Sequence, residues 1–376
     1  MKARVRVVVA MSGGVDSSVA AALLVEQGYD VIGLMMRLWS EPGKEAYNRC
    51  CTPDAMGHAR HIAESLNIPF YVVDTKDVFH DTIVNFFIDG YASGVTPNPC
   101  LECNRHIRWE FLLNKALSLG AEYLATGHYA RTRAIADGPI TIPTSLRSGD
   151  YRYQLLKSID DKKDQSYVLS VMGQAQLRHA MFPVGGYTKT EIRELARKFN
   201  LPVAERPDSQ DLCFLADNDY RRFLAEHAPG VVQPGPIVDS SGNVLGEHKG
   251  LAFYTIGQRK GIGLAAREPL YVLGTDPARK ALVVGVEAEL GQKTMRVGRI
   301  NWVSGAPPVE PFEADIKIRY KAQPRRGLVT PIDDKRAGVT FEQPARDVTP
   351  GQGAVFYEGD VCLGGGIIQQ ARVDPT

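Results

Sequence analysis

Short apolar runs, each followed by a turn and then by apolar residues at helical spacing, recur through the first half of the chain. Arg4-Val5-Arg6-Val7-Val8-Val9-Ala10 reads as a strand, Ser12-Gly13-Gly14 as a tight turn, and Ala20-Ala21-Ala22-Leu23-Leu24-Val25 as part of a helix. Val31 to Met36 predicts a second buried strand. Ala59, Ile62, Ala63 and Leu66 fall at i, i+3, i+4 and i+7, one face of a helix. Phe70 to Asp74 predicts a third strand, Val78 to Phe87 a helix, and Arg105 to Leu119 another helix closed by Gly120. A strand over Glu122 to His128 follows. Repeated βα units of this kind imply a doubly wound parallel sheet, with ligands at the carboxyl ends of its strands.

The pattern then changes. Arg133 to Asp150 mixes Gly, Pro, Ser and Thr and reads as a loop or exposed hairpin. Helical spacing returns over Gln165 to Leu177 and over Thr190 to Phe199, with Thr190 as the expected cap. From Gly235 onward, short β-branched runs alternate with Gly, Pro and Asp turns, which predicts small β modules. The expected organisation is an α/β unit over 1–219, a small central unit over 220–281 and a β-barrel over 282–376.

Composition narrows the class. A chain of 376 residues with 44% hydrophobic and 23% charged residues suits a soluble protein of two or three domains. Neither a membrane-length apolar run nor a leader-like segment is evident, so the expected compartment is the cytoplasm. The net charge of +1 means that any nucleic-acid contact must come from local patches. Such pairs are Lys162 and Lys163, Arg259 and Lys260, Arg319 and Lys321, and Arg325 and Arg326; Trp109, Tyr254 and Tyr320 are aromatics that could stack on bases. Six cysteines in a reducing compartment point to buried, catalytic or metal-binding thiols rather than a disulfide framework.

Three motifs carry chemistry. In Ser12-Gly13-Gly14-Val15-Asp16-Ser17-Ser18, the glycines bring backbone N–H groups close to an anion, the serines add hydroxyl donors, and the following helix adds its dipole. The loop lacks the Gly-Lys-Ser/Thr ending of kinase-type loops and the Gly-x-Gly-x-x-Gly of dinucleotide folds. In Thr96-Pro97-Asn98-Pro99-Cys100-Leu101-Glu102-Cys103-Asn104, two thiols precede a helix whose dipole favours thiolate. A zinc knuckle would need a second ligand pair that the sequence does not offer; a redox pair and buried structural thiols stay open. The third motif, Asp208-Ser209-Gln210-Asp211-Leu212-Cys213-Phe214, adds a lone cysteine in a polar stretch.

The first motif resembles the pyrophosphate loop of ATP pyrophosphatases. The ordered set of motifs resembles the tRNA-specific 2-thiouridylase family across nearly the whole chain. Further matches are Ala125-Thr126-Gly127-His128-Tyr129, Lys163-Asp164-Gln165-Ser166-Tyr167, Phe182-Pro183-Val184-Gly185, Tyr254 to Gly261 and Pro350-Gly351-Gln352. The resemblance implies an enzyme that adenylates the C2 oxygen of a flipped wobble uridine with ATP and then replaces that oxygen with sulfur, releasing AMP and pyrophosphate. By position, Ala10, Met11, Ser12, Gly13, Gly14, Val15, Asp16, Ser17, Met36 and Gly127 would contact ATP. Asn98, Pro99 and Cys100 would surround the base, with Cys103 as nucleophile and Cys213 as persulfide carrier. His128, Lys163, Asp164, Gln165, Arg319, Tyr320 and Gln352 would contact tRNA.

Many family members carry aspartate at the position of Cys100. Here Cys100, Cys103 and Cys213 form a trio able to hold a [4Fe–4S] cluster with one open iron, an alternative sulfur carrier to the Cys213 persulfide. Mg²⁺ is expected with ATP, Asp16 being a candidate ligand. The implied tRNAs are those for Lys, Glu and Gln, and the sulfur source is a desulfurase, a relay protein or sulfide. The Arg133 to Asp150 loop is longer than is usual in the family, and Cys50 and Cys51 have no assigned role. Two other readings remain: another ligase with the same loop, and a non-catalytic, nucleotide-responsive tRNA-binding protein.

Overall fold

In the computed structural model, residues 4–44, 52–135, 153–207 and 212–370 are described. Cys50, Cys51, most of the Arg133 to Asp150 loop and Asp208 to Asp211 lie outside them.

Strands β1 (Arg6–Ala10), β2 (Asp30–Arg37), β3 (Phe70–Asp74), β4 (Tyr123–Thr126) and β7 (Ala180–Met181) form one parallel sheet in the order β3-β2-β1-β4-β7. Alternate residues of β1 face opposite sides, as a pleated strand requires. Val7 and Val9 pack on helices α1 (Val15–Glu26) and α2 (Pro53–Ser65), with Ile192 and Ala196 beside them. Val8 packs instead on Trp109, Leu112 and Ala116 from the helix over 99–118. Both faces are therefore covered, which explains why β1 reads as a continuous apolar run.

Two helical expectations need correction. Gln165 to Leu177 is two short turns, Ser166–Leu169 and Gln174–Leu177, rather than one helix. The helix expected from Thr190 begins earlier, at Lys189–Lys198, because Thr188 caps it. The Thr188 side chain accepts from the Glu191 N–H at 3.3 Å and Glu191 Oε2 accepts from the Thr188 N–H at 2.7 Å, a reciprocal capping box.

The second half is β. Strands β10 (Tyr271–Asp276), β11 (Ala281–Gly285), β8 (Gly235–Val238) and β9 (Val244–His248) make a four-stranded sheet over a small core of Ile237, Val272, Leu282 and Val284. Strands β12 (Gln292–Trp302), β15 (Arg336–Ala345), β14 (Arg325–Asp333), β13 (Phe312–Lys317), β16 (Gly353–Glu358) and β17 (Val361–Ile368) follow in that order, and pairing of β12 with β17 closes a six-stranded barrel. The barrel is tied edgewise to the first unit. The β5 (Ala130–Ala134) and β6 (Tyr153–Lys157) hairpin extends β17 through Val361 opposite Leu156 and Cys362 opposite Leu155. Val355, Tyr357 and Cys362 from the barrel's outer face join the core around Leu155 and Tyr167.

Candidate active site

Strand order reverses beside β1, whose neighbours β2 and β4 lead outward in opposite directions, so a crevice opens at the carboxyl ends of β1 and β4. The loop after β1 is fixed by backbone contacts. Gly13 has φ +72°, and a Cβ there would stand 2.4 Å from the Ala55 carbonyl oxygen at the start of α2. A Cβ on Gly127, at the end of β4, would stand 2.6 Å from the Ser17 nitrogen. Ser17 Oγ accepts from the Ser12 N–H at 3.2 Å, and Ser18 Oγ donates to the Gly14 carbonyl at 2.8 Å. Gly14 offers α1 no side-chain cap, which leaves the helix N-terminus for an incoming anion.

Two cations here carried no sequence signal of their own. Lys189 Nζ lies 2.7 and 2.9 Å from the two Asp16 carboxylate oxygens, and the Tyr129 hydroxyl donates to Asp16 Oδ1 at 2.8 Å. Arg206 donates to the Gly13 carbonyl at 2.9 Å. The Thr188-x-x-Glu191 capping box, which puts Lys189 in the first turn of its helix, was the one clue available.

The cysteine motif lies inside a helix rather than before it. Asn98 Oδ1 accepts from the Leu101 N–H at 3.3 Å and Pro99 takes the first helical position, so Cys100 and Cys103 fall in the first turns. Cys100 is exposed. Cys103 is buried among Phe79, Ile107 and Phe214, and Cys213 packs against the same cluster. Met36 and Leu38, at the end of β2, also border this cluster, and Met36 reaches the core beneath the sheet as well. Over Cys103–Leu112 the helix widens to i→i+5 pairing, a feature often found beside functional sites.

Among the described residues, the one group that brings three ligand-type atoms within 4.8 Å is Glu41, Glu226 and His227. Arg222 and Lys44 already pair with Glu41 and Glu226 there, so the group is an ion-pair network. The three thiols do not converge tightly enough for a single ion.

The residues expected to meet tRNA divide into two groups. Tyr320 is 38% exposed, beside Tyr167 and beneath Lys317, and Lys163 is half-buried in the turn after Asp160. Several of the others are tied by hydrogen bonds within the chain, as Lys163 is through its N–H to the Asp160 carbonyl at 3.0 Å. Asp164 accepts from the Ser158 and Ser166 N–H groups, each at 3.1 Å, and Gln165 Oε1 accepts from the Tyr129 N–H at 2.9 Å. Arg319 donates to the Ile256 carbonyl at 2.8 Å and to Thr349 Oγ1 at 2.6 Å, joining the central unit to the barrel. Gln352 Nε2 donates to the Thr96 and Pro97 carbonyls at 3.0 and 3.3 Å. His128 is buried against Thr126 Oγ1, and burial followed by the nearby Arg108 charge pushes its pKa down to about 3. Trp109 and Tyr254 are core residues and are not available for stacking.

Comparison with known proteins gives three family matches along the chain. Residues 5–217 match the family described as tRNA methyl transferase HUP domain, 221–286 the tRNA methyl transferase PRC-barrel domain, and 292–368 the aminomethyltransferase beta-barrel domain. A curated protein of Geotalea uraniireducens, tRNA-specific 2-thiouridylase MnmA, is 48% identical over 98% of this chain and 96% of its own. Namesakes from Roseiflexus castenholzii and Acetivibrio thermocellus are 46% and 44% identical, over 96% and 97% of this chain and 99% of each relative. A solved 4-thiouridine synthetase–RNA complex with bound ATP is 16% identical with a TM-score of 0.36, covering 60% of this chain and 50% of that one, too slight a likeness to argue from. No described helix is long and apolar enough to cross a membrane.

Proposed function

The chain belongs to the tRNA-specific 2-thiouridylase family, and on that footing we propose that it replaces the C2 oxygen of the wobble uridine of tRNA with sulfur at the expense of ATP. The observation that carries this reading is the path of β2. Its end, Met36 to Leu38, leaves the sheet edge where the phosphate loop lies and borders the cluster that holds Cys103 and Cys213. A nucleotide site and a thiol pocket therefore share one wall.

In this reading the loop Ala10 to Ser17, with Met36 and Gly127, cradles ATP. The uracil O2 attacks the α-phosphorus and pyrophosphate leaves, so that O2 becomes part of an adenylate. Sulfur then adds to C2, and the C2–O bond breaks to release AMP. Asn98, Pro99 and Cys100 border the base. Asp16 is the acidic residue of the loop and a ligand for Mg²⁺, with Lys189 the cation that neighbours it. Lys163, Gln165, Arg319, Tyr320 and Gln352, all at least partly exposed, meet the tRNA, and the buried His128 and Asp164 line the same surface from beneath.

Sulfur reaches C2 by one of two routes. In the first, the outer sulfur of a Cys213 persulfide adds to C2, and Cys103 then attacks Cys213 Sγ, leaving that sulfur on the base and a Cys103–Cys213 disulfide that a thiol reductant reopens. In the second, Cys100, Cys103 and Cys213 would hold a [4Fe–4S] cluster. The donor set suits it, with three thiols, two of them in one apolar pocket and the third a helical turn away. When bound, such a cluster would present sulfide from an open iron. The substrates are the tRNAs for Lys, Glu and Gln, the sulfur comes from a desulfurase, a relay protein or sulfide, and the protein works in the cytoplasm.

The test is to incubate anaerobically purified protein with unmodified tRNA, Mg-ATP and sulfide and to identify the digested nucleosides by mass spectrometry. ATP-dependent 2-thiouridine is expected. AMP without a thiolated base would favour another ligase, and neither product would favour a binding protein. A parallel arm replaces sulfide with a cysteine desulfurase and cysteine, which deliver sulfur already at the persulfide level, and iron-free protein that is active in that arm selects the persulfide route.

A further inference from the structure

Glu102 stands between the two thiols of the cysteine turn, and it is 3% exposed. Its Oε2 is 3.0 Å from the Arg299 guanidinium, 3.4 Å from His106 Nε2 and 3.9 Å from Arg105 Nε, while its buried Oε1 has no hydrogen-bond partner. A carboxylate buried this way needs compensating charge. The shortest of its cationic contacts comes from another unit, for Arg299 belongs to barrel strand β12.

Arg299 is held unusually. Its φ is +51°, in the left-handed region that a long side chain rarely adopts, and it sits where the β12–β17 pairing is interrupted between Gly298 and Asn301. Such irregularities re-aim side chains, and backbone strain of this kind gathers at functional sites. The barrel also grips the other end of the same segment. The Pro350 carbonyl accepts from the Thr96 N–H at 3.0 Å, and Gln352 reaches the Thr96 and Pro97 carbonyls. Contacts from one barrel thus bracket residues 96 to 102.

We propose that Arg299 is a positioning residue: through Glu102 it seats the turn that carries Cys100 and Cys103, so sulfur transfer depends on the barrel even though no barrel atom reacts. This rests on the thiolation reading above. Without Arg299, Glu102 Oε2 must either shift toward His106 and Arg105, its two longer contacts, or swing toward solvent. Either change moves the backbone immediately before Cys103. The loop after β1 is set by other contacts, Gly13 against Ala55 and Gly127 against Ser17, so ATP binding should change little.

The experiment compares Arg299→Ala, Arg299→Lys, Glu102→Gln and the double variant Arg299→Ala/Glu102→Gln as full-length proteins. Three quantities are read: single-turnover thiolation with KM for ATP, tRNA affinity by filter binding, and the alkylation rate of Cys103 followed by peptide mass spectrometry. Arg299→Ala should slow thiolation about 30-fold with KM for ATP and tRNA affinity within threefold of wild type, and should change the Cys103 alkylation rate at least fivefold. Arg299→Lys should restore most of the rate. The double variant, which removes the buried carboxylate that has lost its shortest cationic contact, should thiolate at least tenfold faster than Arg299→Ala and serves in its place if that variant fails to fold. Wild-type thiolation in Arg299→Ala would overturn the proposal. So would a loss that tracks weakened tRNA binding without rescue by Glu102→Gln, which would make Arg299 a phosphate contact. If the wild-type protein makes no 2-thiouridine, the functional reading fails, and the alkylation rates still decide whether Arg299 sets Cys103.

Discussion

The phosphate loop and the cysteine turn are held by different means. Around the loop, the main-chain path is set by backbone on backbone, Gly13 against Ala55 and Gly127 against Ser17, at separations that leave no room for a methyl group, and Arg206 and Lys189 add polar contacts to it from afar. Around the cysteine turn the contacts are polar side chains arriving from far along the sequence, Gln352 onto Thr96 and Pro97 and Arg299 onto Glu102. An anion can be cradled by main-chain N–H groups, so its site fits in seven consecutive residues. A thiol must be aimed, and aiming a side chain takes support from several directions. Damage to the first should therefore be abrupt, and damage to the second graded.

Gly13→Ala is the severest way to test that contrast. The residue would need a left-handed backbone and would place Cβ 2.4 Å from the Ala55 carbonyl oxygen, where a main-chain atom cannot give way cheaply. Loss of ATP affinity by at least 100-fold, measured by equilibrium titration, is expected, together with loss of AMP formation. Lys189→Ala comes next. It leaves the loop backbone alone but strips Asp16 of its cation, and a charge-assisted contact contributes about 1.5–3 kcal/mol. A 10- to 100-fold weaker apparent affinity for Mg-ATP is the expected result, with tRNA binding unaltered. Equal ATP affinity in wild type and variant would remove Lys189 from the site.

This contrast also explains what could be read from the sequence. Strand–turn–helix periodicity marks β1, the loop and α1 because both faces of the sheet are buried and the loop needs glycine at set positions. The cysteine motif was equally visible as residues, yet its start was misjudged, since Asn98 and Pro99 begin the helix before the thiols rather than after them. Lys189, Arg206 and Arg299 carried no local signal, because each acts on a partner more than a hundred residues away. The break in Gln165 to Leu177 was hidden for a related reason. The Ser170 and Met172 carbonyls between its two turns accept from Asn301 Nδ2 of the barrel at 2.8 and 2.9 Å, a tertiary contact that periodicity does not encode.

Gln352→Ala sharpens the graded side of the comparison. It removes two hydrogen bonds to the Thr96 and Pro97 carbonyls, and a neutral hydrogen bond contributes about 1 kcal/mol net. Thiolation should fall about tenfold while ATP-dependent AMP formation with saturating tRNA falls less. A matching fall in both would mean that the two regions are not separable after all.

The smallest effect should come from His128, which is buried just beyond the end of β4. Its imidazole is buried against Thr126, with a pKa lowered to about 3 chiefly by burial, against about 6.5 in an unfolded chain. Above pH 6.5 both states are neutral and the residue adds no pH dependence. Between 6.5 and 3 the unfolded chain takes up a proton that the folded site refuses, so stability falls as the pH falls. From pH 7 to 5.5 that amounts to about 1 kcal/mol. His128→Gln keeps a polar group beside Thr126 and has nothing to titrate, so its urea midpoint, followed by tryptophan fluorescence, should decline less over that range than that of wild type. Thiolation at pH 7.5 should also show no dependence on an imidazolium at this position, since the ring is neutral there. Identical pH slopes for the two proteins would mean that His128 is open to protons, and would return it to the surface as a direct tRNA contact.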